Sequence, residues 1–252
     1  MKAWYAALML VPAVLRAQVP DTLPIDTDRP DFTDGTHTLA RGRLQFEAGY
    51  TYQRARGDDA TALSSFPELL VRVGILQRAE LRLGENYLIE SPGGGLPNTT
   101  GFDDLFIGTK VALTEGHGWL PSLSAEAKVN LPTGSAAIGA GRALPGGALL
   151  LGWEAAGPWS AGVEGFVTEV ADKSALGIAS LSVQYQASTH WQLYGELFSQ
   201  QPLSSAAPNT TYLNGGVMLL LSQNVQLDAR LGVGLNHDAD RYFTGFGVAV
   251  RR

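Results

Sequence analysis

The sequence of 252 residues contains no cysteine. That excludes a disulfide framework, thiolate catalysis and thiolate metal sites. Beyond residue 17 it has no apolar run near the ~20 residues that a membrane-spanning helix needs. It is short of positive charge: 18 Lys and Arg stand against 24 Asp and Glu, for a formal net charge of −6. A nucleic-acid partner therefore has no electrostatic support. Histidines are few. His37 lies ahead of the first expected strand, and His117, His190 and His237 lie in or beside turns. None shares a strand face with a fitting serine, so a Ser–His nucleophile held by a third polar group has no support. No spacing fits a metal site, no cofactor is implied, and no enzyme is expected. Helical periodicity is also scarce, with few segments placing apolar residues at i, i+3, i+4 and i+7.

What is present begins with MKAWYAALMLVPAVLRAQ. Lys2 precedes an apolar stretch at 3–15, and Ala17 offers a small residue for cleavage. The pattern is that of a signal peptide, too short to span a bilayer. The expected organisation is a signal peptide at 1–17, a periplasmic N-terminal segment at 18–41 and one β domain at 42–252.

Alternation fills that domain. In NVQLDARLGVGLN (224–236), Val225, Leu227, Ala229, Leu231, Val233 and Leu235 share one face; Gln226, Asp228, Arg230, Gly232, Gly234 and Asn236 share the other. The same two-residue period marks 44–53, 68–75, 80–83, 104–113 and 123–131, and strands are expected near 147–155, 158–168, 175–186, 190–199, 212–221 and 241–251. Most are longer than the 5–6 residues usual in soluble proteins and match the about 9–11 of a tilted membrane-spanning strand. Connections alternate in length. Those at 54–65, 90–101, 132–146 and 200–211 are long, and 169–174 and 237–240 are moderate. Those at 76–79, 114–119, 155–158, 187–189 and 222–223 are short. Trp119, Trp159 and Trp191 each follow a short connection with the parity of the apolar face, as an interfacial aromatic girdle would. These features predict an all-β protein: an antiparallel transmembrane β-barrel of about 12 strands with short periplasmic turns and longer outer loops. In hydrocarbon such a sheet must close, because an open edge leaves backbone groups unpaired. A soluble β-sandwich is the competing fold.

On this phasing the inner face carries Glu47, Glu68, Arg72, Glu80, Arg82, Asp104, Lys110, Glu126, Lys128, Glu164, Glu196, Asp228 and Arg230. Two roles stand open for them: a ladder of salt bridges propping the wall, or a selectivity lining that favours cations or neutral polar solutes. Leu70, Phe106, Phe166 and Phe198 share the inward parity, so a route for hydrophobic solutes also stays open. Twelve strands fall between a filled eight-stranded interior and a sixteen-stranded channel. Residues 21–35, DTLPIDTDRPDFTDG, hold two prolines and five aspartates and cannot form a spanning strand. They are expected to fold back to the periplasmic mouth as a plug, with Asp28, Arg29 and Asp31 as its charged contacts and Arg29 reaching inward acids; a solvated leader is the alternative. Asn98–Thr100 and Asn209–Thr211 read as polar loop tips.

Five segments together resemble a known family. IDTDRPDFTDG (25–35) with GRLQFEAGYTY (42–52), DDLFIGTKVAL (103–113), LPTG (131–134) and NVQLDARLGVGLNHDADRYFTGFGVAVR (224–251) are similar, in order, to a bacterial outer-membrane family. It carries the label MetA-pathway of phenol degradation, and its members are also called transporters. The resemblance implies a barrel of about twelve strands in the Gram-negative cell outer membrane and passage of small, aromatic or hydrophobic compounds. The expected function is a porin-like channel for passive uptake or efflux of small solutes; the alternative is a non-conducting structural barrel with a salt-bridged lumen. Expected partners are outer-membrane lipid, a small-molecule solute and the barrel-insertion machinery. Such barrels often end in an aromatic residue, whereas this chain ends Val250-Arg251-Arg252.

Overall fold

The computed structural model describes residues 23–252 apart from 58, 59, 156 and 206. The expected signal peptide at 1–17 lies outside the described residues. Thirteen strands follow in order: β1 (Leu44–Arg54), β2 (Ala62–Leu76), β3 (Ala79–Ser91), β4 (Thr99–Phe102), β5 (Phe106–Thr114), β6 (Ser122–Asn130), β7 (Leu144–Glu154), β8 (Trp159–Glu169), β9 (Ala175–Gln186), β10 (Trp191–Pro202), β11 (Thr210–Ser222), β12 (Val225–Gly234) and β13 (Tyr242–Arg251). No helix among the described residues is long and apolar enough to cross a membrane.

Apart from β4 and β5, which do not pair with each other, consecutive strands pair antiparallel, and β1 pairs with both β2 and β13. The ring is sealed where Leu44 N donates to Arg252 O (3.0 Å) and Arg252 N to Leu44 O (2.7 Å). β4 and β5 pair with successive parts of β3, so together they fill one place. The result is a closed barrel of twelve strand positions, with both ends of the sheet at the short-turn rim. Closure leaves one backbone edge, the far side of the short strand β4.

Burial is inverted relative to a water-soluble domain. Along β12, Gln226, Asp228 and Arg230 are buried while Leu227, Leu231 and Val233 are exposed, Leu231 by 58%. Along β13, Phe243, Ala249 and Arg251 point in, and Phe246, Val248 and Val250 point out. The largest fully buried side chains include Arg72, Lys110, Gln45, Glu47, Glu80 and Glu196. Charged residues are almost never fully buried unless paired, and apolar side chains lose stabilisation in water. A sandwich with an apolar core is therefore overturned; the polar face is the inside and the apolar face meets a non-aqueous medium.

Several details depart from the sequence reading, among them the earlier starts of β2 at Ala62 and β7 at Leu144. The connection expected at 90–101 is partly strand: β3 runs to Ser91, and β4 forms across it. The short turn expected at 114–119 spans 115–121 and is held by His117 N to Leu120 O (3.0 Å) and the reciprocal bond (3.1 Å). Trp159 and Trp191 open β8 and β10, but Trp119 lies in that turn rather than on a strand. All three indoles are exposed at the short-turn rim, Trp119 by 82%.

Candidate functional site

The barrel interior is occupied by residues 23–41 of the same chain. The segment enters at the short-turn rim, where Ile25 N donates to Gln223 O (2.8 Å) and Arg251 donates to Leu23 O (2.7 Å) and Pro24 O (3.3 Å). It climbs to Phe32, which packs on Phe198 (ring centroids 4.3 Å) and Phe243 (5.6 Å) beneath the Arg230 guanidinium (4.7 Å). It then returns to the same rim, where Gly42 N donates to Gly74 O (2.8 Å). Phe198 lies well inside β10, so the tip reaches much deeper than the mouth position expected from its prolines.

A segment with no ladder of its own must find acceptors for its N–H groups when buried. The strands supply carboxylates. Glu196 accepts Phe32 N (2.9 Å), Thr33 N (2.8 Å) and Thr33 Oγ1 (2.7 Å). Glu164 accepts Asp34 N (2.9 Å), Glu80 accepts Leu39 N (2.8 Å) and Glu47 accepts Asp28 N (3.3 Å). Several of the acids expected on the inner face are thus engaged by the chain's own backbone.

Two ionic centres anchor the segment on opposite charges. Asp28 faces Arg82 (2.6 Å), Lys110 (3.0 Å) and Arg72 (3.4 Å). Around it Arg72 also meets Glu80 (2.9 Å) and Glu47 (3.4 Å), and Arg82 meets Glu126 (3.1 Å) and Asp34 (2.9 Å). Burial alone would push the Asp28 carboxyl up, but the three bases outweigh it and hold it well below the ordinary value. Arg29 lies in the second centre, bonded to Glu68 (2.8 Å) and 3.5 Å from Asp228. The register explains its place: Glu68 pairs with Gly49, Gly49 with Gly247, and Gly247 with Asp228, a row across four strands. A Cβ on either glycine would collide with the guanidinium. The glycines form the floor of a slot with an acid at each end. Asp31 takes bonds from Ser182 (2.8 Å) and Gln184 (3.3 Å), and burial followed by the Glu196 charge pushes it up to about 7.

The remaining inward residues sit apart from the segment. Lys128 lies over the Phe166 ring (4.4 Å) and the Phe106 ring (5.3 Å). Asp104 lies at the long-loop rim and accepts Gly134 N (2.8 Å) and Ala140 N (2.9 Å). Sequence reasoning missed Gly49, Gly247, Arg251, Asp34 and Asn214, whose Nδ2 donates to Glu196 (2.9 Å). The inward parity of Arg251 was a usable signal; nothing local marked the glycines. A cavity of about 530 Å³ opens at the short-turn rim beside Pro24, Ile25, His190, Gln192, Met218 and Gln226. Another of about 400 Å³ opens at the long-loop end beside Gln53, Leu63, Leu88, Glu90, Ile138 and Asp240. Their linings share no residue. Among the described residues no three His, Asp or Glu side chains gather to hold a metal ion.

The sequence matches no curated protein. Among solved structures, an outer membrane channel from Pseudomonas putida F1 is 16% identical, with 94% of this chain and 100% of that chain covered and a TM-score of 0.66. The KdgM porin is 10% identical over 82% of this chain and 98% of that chain, with a TM-score of 0.54. The translocator domain of the autotransporter NalP from Neisseria meningitidis is 12% identical over 87% and 90%, with a TM-score of 0.56. At these identities the likeness concerns the fold, which is that of outer-membrane channels, porins and translocators alike. Residues 27–251 match a family profile that spans both the inserted segment and the whole barrel. The chain belongs to the family described as "Putative MetA-pathway of phenol degradation".

Proposed function

We propose that this protein is a passive channel of the cell outer membrane for small solutes, closed at rest by its own residues 23–41. The observation that carries this reading is that the lumen charges are matched to a segment, not only to one another. Asp28 neutralises a cluster of strand bases, and Arg29 bridges two strand acids. Buried pairs of this kind are costly to break singly, yet the segment can leave as a unit and expose both charge sets to water together. Leu70, Phe106, Phe166 and Phe198 on the inner face support uncharged aromatic or hydrophobic compounds among the solutes. The exposed apolar belt supports lipid as the surrounding partner, with Trp159 and Trp191 at its short-turn edge as a periplasmic girdle. No reaction is assigned to it.

The density of the ion network supports a second reading, a non-conducting structural barrel. Single-channel conductance of the refolded mature chain, against a variant lacking 18–35, separates the two. Deletion is expected to give larger, steadier and cation-leaning steps, because Glu47, Glu68, Glu164 and Glu196 then face water. Equal conductance of both proteins would remove the plug from the proposal. Silence from both correctly folded barrels would favour the structural reading.

A further inference from the structure

Phe32 is the one Phe, Tyr or Trp of residues 23–41, and it sits at the turning point of the inserted segment. Asp31 and Thr33 on either side of it are buried, whereas Phe32 is 40% exposed. The rings around it lie near the long-loop ends of their strands: Tyr212 is the third residue of β11 and Phe243 the second of β13. Phe32 therefore stands at the outer end of the segment with part of its surface uncovered. The outer cavity opens beside it. Of that cavity's lining, Gln53 is the register partner of Phe243, and Asp240 accepts the Tyr212 hydroxyl (3.1 Å).

The wall around Phe32 is held in place without it. Phe198 stacks on Tyr212 (ring centroids 4.8 Å), and Tyr212 meets Phe243 edge-on (6.0 Å). Aromatic pairs in these geometries attract beyond the area they bury. Tyr212 is fixed by Asp240, and Phe243 lies over Gly232, where a Cβ would come within 2.1 Å of the ring. Arg230 covers the remaining side, 4.7 Å from the Phe32 centroid and 5.7 Å from that of Phe243. One of its terminal nitrogens donates to Pro30 O (2.8 Å), and its Nε has no hydrogen-bond partner among the described residues. The segment thus offers this wall a ring and a carbonyl oxygen side by side. Both are withdrawn when the segment leaves, while the cage and the guanidinium stay on the strands.

We infer that Phe32 is a resident stand-in for a solute: the cage of Phe198 and Phe243, backed by Tyr212 and capped by Arg230, binds an uncharged single aromatic ring bearing an acceptor oxygen, which enters from the outer cavity and opens the gate by taking the place of Phe32 and the Pro30 carbonyl. The inference rests on the channel reading and adds the signal that opens it. A ligand that binds only the released state draws the population toward that state. An anion is disfavoured, because Glu196 lies at Phe32 N (2.9 Å) and Glu68 lies 3.7 Å from Arg230. A saturated ring of the same size fills the space but offers no π face to Arg230 or to the cage.

The chain has no cysteine, so Thr33→Cys supplies a single thiol beside Phe32, buried when docked. Its rate of maleimide labelling is followed in the refolded mature chain with benzamide, and with cyclohexanecarboxamide as the saturated counterpart. Benzamide at ten times its Kd is expected to speed labelling about tenfold, and the saturated amide to leave the rate unchanged. While the segment is mostly docked, the concentration that doubles the rate reports affinity for the cage, however tightly the segment holds. Phe198→Leu is expected to raise that concentration by up to about tenfold through loss of one ring contact; Phe243→Leu is the second cage variant, with the same expectation. Heat-modifiable migration of each variant reports that it has folded. Equal acceleration by the two amides would overturn the aromatic site, as would an unchanged doubling concentration in both folded cage variants. No acceleration by benzamide would overturn it too, and faster labelling of the Asp28→Asn protein would then leave the gate standing. A barrel that responds to benzamide but gives no single-channel steps would keep the site and remove the channel reading.

Discussion

Asp28→Asn tests the gate with the least disturbance of shape. The amide keeps one acceptor oxygen but removes the charge that faces Arg72, Arg82 and Lys110 within 3.4 Å. Leaving buried charge short of a partner costs about 3–5 kcal/mol. The lower end applies, because Glu47, Glu80 and Glu126 still meet these bases. The penalty falls on the docked state alone, since release of the segment returns the bases to water. About 3 kcal/mol is roughly 150-fold in an equilibrium, so a closed-to-open ratio of about 1000 would fall to about 7. Open probability in planar bilayers measures this directly. A single thiol at Thr33→Cys, buried when docked, gives an independent reading through its rate of maleimide labelling. Wild-type open probability and wild-type labelling rate in the Asp28→Asn protein would refute the idea that this ion cluster holds the segment.

Three further outcomes are expected. Asp31 is held at about 7 when docked and returns to its ordinary 3.8 when released. Docking therefore strengthens as pH falls from 7 toward 4, by up to about tenfold per pH unit, and Asp28, displaced the other way, weakens it only below that window; an open probability at pH 5.5 equal to or above that at pH 8 would rule out this role for Asp31. Gly247→Ala drives a methyl into the Arg29 slot, so combining it with Arg29→Ala should raise open probability no further than either change alone; additive effects would show that they act separately. Leu149, outward on β7 and 58% exposed, should cost about 2–4 kcal/mol as Leu149→Arg in unfolding from bilayers, and an unchanged midpoint would mean that this face does not meet hydrocarbon.

The barrel was legible because its signals are local and repeated. Side-chain parity along 224–236 separates the two faces without any knowledge of partners, and an inward Glu47 or Lys110 follows from the same count. Strand ends were less legible. Thr99–Phe102 reads as a loop from its glycines and prolines upstream, yet it pairs because the outer part of β3 offers it an edge. The depth of residues 23–41 had no periodic signal at all. It depends on acceptors spread over β1, β3, β8 and β10, which only closure brings round one axis. The Gly49–Gly247 slot is illegible for the same reason: its floor comes from residues about two hundred positions apart.

That slot also bears on assembly. Its two middle members belong to the first and last strands, so Arg29 lies across the seam at which the sheet becomes a ring. In an unclosed sheet Glu68 and Asp228 would stand near opposite margins, out of reach of one guanidinium. The arginine is a staple that can be driven only after the seam has met. By reciprocity, whatever free energy the staple adds to closure is withdrawn when the segment leaves. Opening the gate and loosening the weld are then one linked equilibrium, and a conducting barrel is held along β1 and β13 without its staple, by the backbone ladder, the Tyr50–Phe246 and Tyr52–Tyr242 ring pairs and the reach of Arg230 to Thr51 and Glu68.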